Sequence, residues 1–196
     1  SISLTSDEKY LRISNEKVLR ENKLEDGRVE TLCVDSMKMS TYLVAFVRGE
    51  LEVTEVGSVG DTQIRIIHRP GFSHQTSFAG TAGMKILEFF ENYYQIPYPG
   101  SKLDLIAIPD FAMGAMENVG AVTFRESLLL IDESKATRQE LSRSVSVIAH
   151  ELAHMWFGDL VTMKWWDGIW LNAVSYTHLR AHETSLHLVC RLLLEK

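Results

Sequence analysis

The sequence predicts an α+β fold, because a β-type pattern gives way, at about residue 76, to helices that alternate with strands. Residues 41–47 are nearly all apolar and rich in β-branched and aromatic side chains, which predicts a strand buried on both faces. Residues 64–67 predict a further strand, because isoleucines dominate them. From Thr76 the apolar residues recur at helical spacing, so the chain changes its type of structure there.

Two helices are predicted in the second part of the chain. The first covers about residues 76–94 and is stopped by Pro97 and by Pro99 with Gly100. The second covers about residues 138–157. Short apolar runs predict strands at residues 103–108, 119–124 and 128–131.

Composition excludes several classes of protein. The chain has 196 residues with 45% hydrophobic and 23% charged residues, which is typical of globular domains and not of disordered chains. Its net charge of −6 gives no basic face, so we expect no nucleic-acid partner. We also expect no membrane segment, because no run of ~18 apolar residues occurs. No secretory leader is visible after Ser1, and Cys33 and Cys190 either form one bridge or are free thiols.

The second predicted helix contains His150, Glu151 and His154 in the order H-E-x-x-H. Side chains four positions apart lie on one face of a helix, about 40° apart around its axis and one turn along it. Two imidazoles at this spacing can bind one metal ion, and Glu151 beside them can reach a water on that ion. We therefore predict that His150 and His154 are metal ligands and that Glu151 is the catalytic residue.

The rest of this helix provides an internal check on that prediction. An apolar stripe within roughly 40° of one direction is formed by Leu141, Val145, Ile148, Leu152 and Met155. His150 and His154 lie roughly 180° and 220° away from Leu141, so the histidines point away from the stripe. The alternative is that they are two solvent-facing histidines on an amphipathic helix.

Zinc is the metal that this ligand pattern favours. Two neutral imidazoles, one carboxylate and a water form the usual open catalytic zinc site. We predict one Zn²⁺ ion, which lowers the pKa of its water towards ~7 and polarises a substrate carbonyl. Glu151 is then expected to take the proton of the water and to pass it to the leaving amine. The predicted reaction is hydrolysis of an amide or ester.

A second cluster lies between the strand at 103–108 and this helix, and it comprises Gly114, Ala115, Met116, Glu117 and Asn118. By itself it indicates a turn with a solvated carboxylate at Glu117. The order G-A-M-E-N followed by H-E-L-A-H-x-W-F-G-D-L-V-T-M-x-W-W resembles the aminopeptidase N (membrane alanyl aminopeptidase) family of zinc metallopeptidases, the gluzincin type. The resemblance covers residues 98–172, and residues 37–47 resemble the end of that family's N-terminal β domain.

The resemblance implies a fold and a substrate. It implies the end of a saddle-shaped β domain at residues 1–75 and the first part of a thermolysin-like catalytic domain at residues 76–172. In that family the Glu of G-A-M-E-N binds the free α-amino group, which implies that role for Glu117, with Gly114 and Ala115 along the peptide. A carboxylate fixed near the zinc selects a cationic N-terminus and places the first peptide bond over the metal. The implied partner is a peptide with a free N-terminus.

Other residues near the two motifs have competing interpretations. We expect a place in the core, rather than in a substrate platform, for Trp156, Trp165, Trp166 and Trp170. Asp159 is expected at the helix end or in a turn, with support of a metal-binding histidine as the alternative. Met113 and Met116 either line the first substrate pocket or pack internally. His68 and His74 are expected at the surface or in loops rather than as ligands.

The sequence departs from the family at one ligand. The family's third zinc ligand is a glutamate where this chain has Ala173, and alanine cannot bind zinc. Residues 173–196 resemble a translated adaptor or library sequence, so we expect a foreign tail after a break near residue 172. The family's transition-state tyrosine has no counterpart, and Glu183 has the wrong spacing to replace the ligand. We therefore predict weakened zinc binding and little or no activity for the chain as written.

Three functional hypotheses follow from these observations. The first is part of a zinc aminopeptidase that hydrolyses N-terminal residues from peptides. The second is a zinc endopeptidase, which an amine-binding Glu117 would disfavour. The third is a catalytically dead homologue that binds peptides, which Ala173 favours.

Overall fold

A computed structural model describes residues 1–168 of the 196-residue chain. Within these residues the strands are β1 (Ser3–Asp7), β2 (Leu11–Ser14), β3 (Val18–Lys23), β4 (Arg28–Cys33), β5 (Phe46–Gly49), β6 (Glu52–Val59), β7 (Thr62–His68), β8 (Lys102–Ile108), β9 (Ala115–Met116) and β10 (Ala121–Arg125). The α-helices described there are α1 (Ser77–Tyr94), α2 (Glu126–Leu129) and α3 (Arg138–His154). This content confirms the predicted α+β class.

The described strands form three sheets. β1, β4 and β3 make an antiparallel sheet, and β2 pairs with β5 in a two-stranded antiparallel ribbon. The largest sheet has the order β6-β7-β8-β10-β9, with β7, β8 and β10 parallel and both edge strands antiparallel to their neighbours. Parallel neighbours need a crossover, and α1 supplies it between β7 and β8.

Both faces of the central strand β8 are covered. Leu103, Leu105 and Ala107 belong to the main core with residues of α1 and α3, and all three are 0% exposed. Ile106 faces the other way and packs with Ile13 next to the β2–β5 ribbon. Successive side chains of a strand point to opposite faces, so a nearly continuous apolar run is expected for a strand covered on both sides.

α3 begins and packs as the sequence predicts. The Thr137 Oγ1 accepts a hydrogen bond from the Glu140 backbone N–H at 3.2 Å, and a Glu140 carboxylate oxygen accepts one from the Thr137 N–H at 2.8 Å. This capping box satisfies two N–H groups at the helix start. The predicted stripe is confirmed, because Val145, Ile148 and Leu152 are 0% exposed.

Two predicted strands are wrong. Residues 41–47 contain a 3₁₀ turn (Thr41–Leu43) before β5, and Phe46 is 71% exposed. Val47 packs against the small core around Ile13, whereas its neighbour Phe46 points to the opposite face and is exposed, so β5 is buried on one face only. Residues 128–131 are buried, but Leu128 and Leu129 end α2 and only Leu130 and Ile131 follow it; the Leu130 N–H donates to the Glu126 carbonyl at 2.8 Å. A short apolar run buries equally well in a helix or a strand, so periodicity alone does not separate them.

The predicted domain limits, 1–75, 76–172 and 173–196, stay predictions. The sheet that carries the candidate site joins strands on either side of residue 75, because β7 pairs in parallel with β8 over five residue pairs from Gln63↔Lys102 to Ile67↔Ile106. None of the helices within residues 1–168 is both long enough and apolar enough to cross a bilayer. Cys33 is a buried free thiol, and Cys190 lies outside the described residues.

Candidate active site

The two histidines of the H-E-x-x-H motif lie in the last turn of α3 and converge on one point. Their Nε2 atoms are 3.2 Å apart, and their rings are nearly perpendicular, at 86°. Two nitrogen ligands of one tetrahedral zinc ion, each bonded at about 2.0–2.1 Å, are separated by about 3.3 Å. The two imidazoles of His150 and His154 are therefore arranged as a pair of ligands to a single ion would be.

The orientation of His154 is fixed by the backbone that follows the helix. Its Nδ1 lies 3.0 Å from the carbonyl oxygen of Phe157, and the side chain is only 7% exposed. A carbonyl accepts but never donates, so Nδ1 carries the hydrogen and the lone pair is on Nε2. This tautomer is the one that a metal requires at Nε2.

His150 is half-buried and sits beside His154. Burial, together with the neighbouring His154, lowers the pKa of His150 to about 4. The ring is therefore neutral at neutral pH, which is the form in which imidazole binds a metal.

Glu151 lies between the histidines and is 4% exposed. Burial raises its pKa to about 8, and the negative charge of Glu117 adds to the shift. Glu117 directly follows the edge strand β9, which lies against α3. The two sequence motifs, more than thirty positions apart, thus bring their carboxylates within electrostatic reach of one another in the fold.

The G-A-M-E-N segment forms the outer edge of the large sheet. Ala115 pairs with Phe124 and Met116 pairs with Thr123, while Gly114 is exposed at the start of the segment. Asn118 is 6% exposed, and its amide donates to the Leu43 carbonyl at 3.2 Å. In the structure, the Asn118 side chain therefore ties the end of this segment to the N-terminal part of the chain.

Asp159 is more deeply buried than its expected place at a helix end or in a turn implies. It is 1% exposed, and neither of its carboxylate oxygens makes a hydrogen bond, so it does not support a histidine ring. Its backbone N–H donates to the His154 carbonyl at 3.1 Å, which confirms the helix-end interpretation. Burial raises the pKa of Asp159 to about 9, with smaller contributions from the charges of Glu117 and Glu151.

The remaining predictions near the site have mixed outcomes. Trp156 is in the core, 2% exposed, and its indole N–H donates to the Ile96 carbonyl. Trp165 and Trp166 are 71% and 52% exposed, so their predicted core position is wrong; they follow the end of α3 in a segment with few buried residues. Trp170 lies outside the described residues. Met113 is 67% exposed, which excludes internal packing for it.

His68 is also placed differently from the prediction. It is the last residue of β7 and is 0% exposed. Its ring nitrogens contact the Thr54 hydroxyl and the Arg69 carbonyl, each at 2.8 Å. His74 is exposed, as predicted.

Both predicted zinc ligands, His150 and His154, lie in the described part of the chain. Residues 1–168 contain no group of three or more His, Cys, Asp or Glu side chains arranged to hold a metal ion. Ala173, at the third ligand position, and the candidate substitute Glu183 are outside the described residues, as is the rest of the predicted foreign tail. Among the described residues, the imidazoles of His150 and His154 fit a zinc ion as two of its ligands.

Comparison with known proteins identifies the family of the chain. The family model described as peptidase family M1 domain matches residues 78–187. Endoplasmic reticulum aminopeptidase 2 of Bos taurus is 42% identical over 172 residues, which is 88% of this chain and 18% of that protein. Puromycin-sensitive aminopeptidase of Caenorhabditis elegans is 42% identical over 87% of this chain and 18% of its own length.

A plant protein gives a similar match. Aminopeptidase M1-B of Oryza sativa subsp. japonica is 42% identical over 186 residues, covering 92% of this chain and 21% of that protein. The chain therefore spans about a fifth of the length of the curated relatives it matches. Because the family model covers more than half of the chain and includes both motifs, the chain belongs to the peptidase M1 family.

Proposed function

We propose that the chain is part of a zinc-dependent aminopeptidase, which hydrolyses N-terminal residues from peptides. The observation that carries this proposal is the 3.2 Å approach of the His150 and His154 Nε2 atoms beside Glu151, within reach of the charge of Glu117. The relatives named above support it, because each is named an aminopeptidase.

Each residue has a separate role in this proposal. His150 and His154 would hold the zinc ion, which when bound supplies a Lewis acid that activates water and polarises the scissile carbonyl. Glu151, which a zinc ion bound beside it would keep ionised despite its burial, would accept the proton that the attacking water loses and deliver it to the leaving nitrogen. Its place on the same helical turn as the ligands brings its carboxylate to the attacking face.

Glu117 is proposed to bind the ammonium group of the substrate. An ion pair with hydrogen bonds to a substrate amine is stronger than a bond between neutral groups, and it fixes the peptide in one register. The backbone of Gly114 and Ala115 continues along the peptide, and Met116 and Asn118 complete the segment. The site would then cleave the first peptide bond and disfavour internal ones, which argues against an endopeptidase.

The chain as written is proposed to have weakened zinc affinity and little activity. With alanine at position 173, only two protein ligands from the motif remain for an ion that normally takes three in catalytic sites. Ala173 also supports a second candidate, a catalytically dead homologue that retains the Glu117 segment and binds peptide N-termini without cleaving them.

Two measurements test these proposals. With zinc present, we expect the chain to bind Ala-Ala-Phe-amide about tenfold more tightly than the N-acetylated peptide, and the Glu117→Gln variant to lose this preference. Equal binding of both peptides by the unmodified chain would exclude an amine site.

Hydrolysis of alanyl-anilide separates the enzyme from the dead homologue. We expect no turnover by the chain as written, and a larger gain in zinc affinity than in turnover for Ala173→Glu. Turnover by the unmodified chain that a chelator removes and zinc restores would refute the proposed inactivity. Glu151→Gln added to Ala173→Glu is the matched variant: it retains both histidines, so it should keep the gain in zinc affinity and lose any gain in turnover.

A further inference from the structure

The loop that leads into the G-A-M-E-N segment is held by one residue, Arg125, at the end of β10. The Arg125 Nε donates to the Phe111 carbonyl at 3.0 Å, and its Nη2 donates to the Ala112 carbonyl at 2.6 Å. The backbone N–H of Arg125 donates to the Gly114 carbonyl at 2.9 Å. One residue thus makes three hydrogen bonds to a stretch of four residues.

Little else in the described structure holds this stretch. Ala112, Met113 and Gly114 are exposed, so the loop buries little apolar surface. The strand that follows it, β9, has only two residues and pairs with β10 through Met116 and Ala115. A two-residue pairing at the edge of a sheet contributes few hydrogen bonds, so bonds that fix the loop before it have a large share in fixing the strand.

The geometry suits arginine in particular. Consecutive carbonyl oxygens accept from two nitrogens of one guanidinium, whose planar fork presents its N–H donors in fixed directions. These acceptors are neutral backbone groups, so Arg125 acts here as a rigid donor and not through an ion pair. Removing the side chain leaves two carbonyls at an exposed surface, where water can replace the lost donors; the fold therefore survives, and the loop loses its fixed position.

We propose that Arg125 is a positioning residue, which sets the place of the Glu117 carboxylate by fastening residues 111–114 to the end of β10. The proposal rests on the proposed function, because it assumes that Glu117 binds the substrate amine. Glu117 follows β9 without an intervening residue, so a shift of the loop and of β9 would change the place of its carboxylate relative to α3, which carries the histidine pair. We expect such a displacement to lower the selectivity for the free amine while the stability of the fold changes little.

The test uses the full 196-residue chain with zinc and two probes, Ala-Ala-Phe-amide and its N-acetylated form. The readout is the ratio of the two dissociation constants, which a general loss of folded protein leaves unchanged. We expect Arg125→Gln to reduce the ratio by about three- to tenfold and Arg125→Lys to recover part of it, since lysine keeps donors but lacks the fork. The matched control Arg20→Gln, on β3 in another sheet, should leave the ratio unchanged.

A second measurement, proteolysis, reports how firmly the loop is held and does not depend on peptide binding. Chymotrypsin cleavage after Phe111 under native conditions should be about three- to tenfold faster in Arg125→Gln than in the unmodified chain and in Arg20→Gln. An unchanged cleavage rate would overturn the proposal, as would faster cleavage with an unchanged selectivity ratio. If the unmodified chain shows no preference for the free amine, the proposed function fails and the positioning role falls with it. The cleavage rate then still shows whether Arg125 holds the loop.

Discussion

The two halves of the candidate site are built in different ways. The metal half lies on α3, where burial of Val145, Ile148 and Leu152 against the core fixes the face that carries the histidines. The substrate half lies on an exposed edge, where hydrogen bonds from Arg125 and from Asn118 fix a two-residue strand. Burial positions a whole helix at once, whereas each hydrogen bond positions only the atoms it joins. We therefore expect the metal half to respond to mutation through global stability and the substrate half through local geometry.

The largest expected effect comes from the core face of α3. Ile148→Ala removes a side chain that is 0% exposed, and the cavity and lost burial should lower the free energy of unfolding by about 2–5 kcal/mol. Urea denaturation followed by circular dichroism measures this change. Ser146→Ala, at an exposed position of the same helix, is the matched control and should change stability by less than ~0.5 kcal/mol. Equal effects of the two substitutions would contradict the view that burial positions α3.

Asp159, which lies next to the metal half, should make the free energy of unfolding depend on pH. Its carboxyl has an ordinary pKa of 3.8, and burial raises the folded-state value to about 9. Between these values the folded chain binds a proton that the unfolded chain has released, so stability should fall as pH rises from about 4 to about 9. Asp159→Asn removes this dependence and should raise the melting temperature more at pH 8 than at pH 5 in the metal-free chain. A gain of the same size at both pH values would show that the carboxyl is not buried as described.

A smaller effect is expected in the substrate half. Asn118→Ala removes the donor to the Leu43 carbonyl and the acceptor for the Thr123 hydroxyl at 3.3 Å. Loss of these buried bonds should lower the free energy of unfolding by about 1–2 kcal/mol. The Leu43 carbonyl keeps its bond from the Asn15 amide at 2.9 Å, which limits the cost. Denaturation of Asn118→Ala beside Ile148→Ala compares the two halves directly, and a larger loss in the former would reverse their ranking.

The smallest expected effect is at the start of α3. Thr137→Ala removes the hydroxyl that accepts from the Glu140 N–H, and should lower stability by about 1 kcal/mol. Thr137→Ser keeps the hydroxyl and serves as the matched control. Denaturation midpoints of the two variants measure the difference, and identical midpoints would show that the cap contributes nothing.

The amino-acid sequence predicts the metal half better than the substrate half. The H-E-x-x-H spacing and the stripe from Leu141 to Met155 are local periodic patterns, so they predict α3 and its two faces correctly. In the substrate half, the Arg125 side chain donates to the backbone carbonyls of Phe111 and Ala112. Every residue has a backbone carbonyl, so these bonds leave no pattern of side chains in the sequence.

The same reasoning explains the predictions that are wrong. Exposure of Phe46 depends on which face of β5 packs against the core, and burial of His68 depends on the tertiary contacts around the end of β7. Neither is encoded in the residue itself. The buried carboxylate of Asp159, which makes no hydrogen bond, is also hard to predict from the sequence, because aspartate after a helix normally indicates a solvated turn.

Isothermal titration of the chain with Zn²⁺ tests the central claim, that His150 and His154 share one metal ion. The account predicts one ion per chain, binding that is weaker by about tenfold or more in His154→Ala, and unchanged binding in His74→Ala, which removes an exposed imidazole elsewhere. Equal zinc affinity of His154→Ala and the unmodified chain would contradict it.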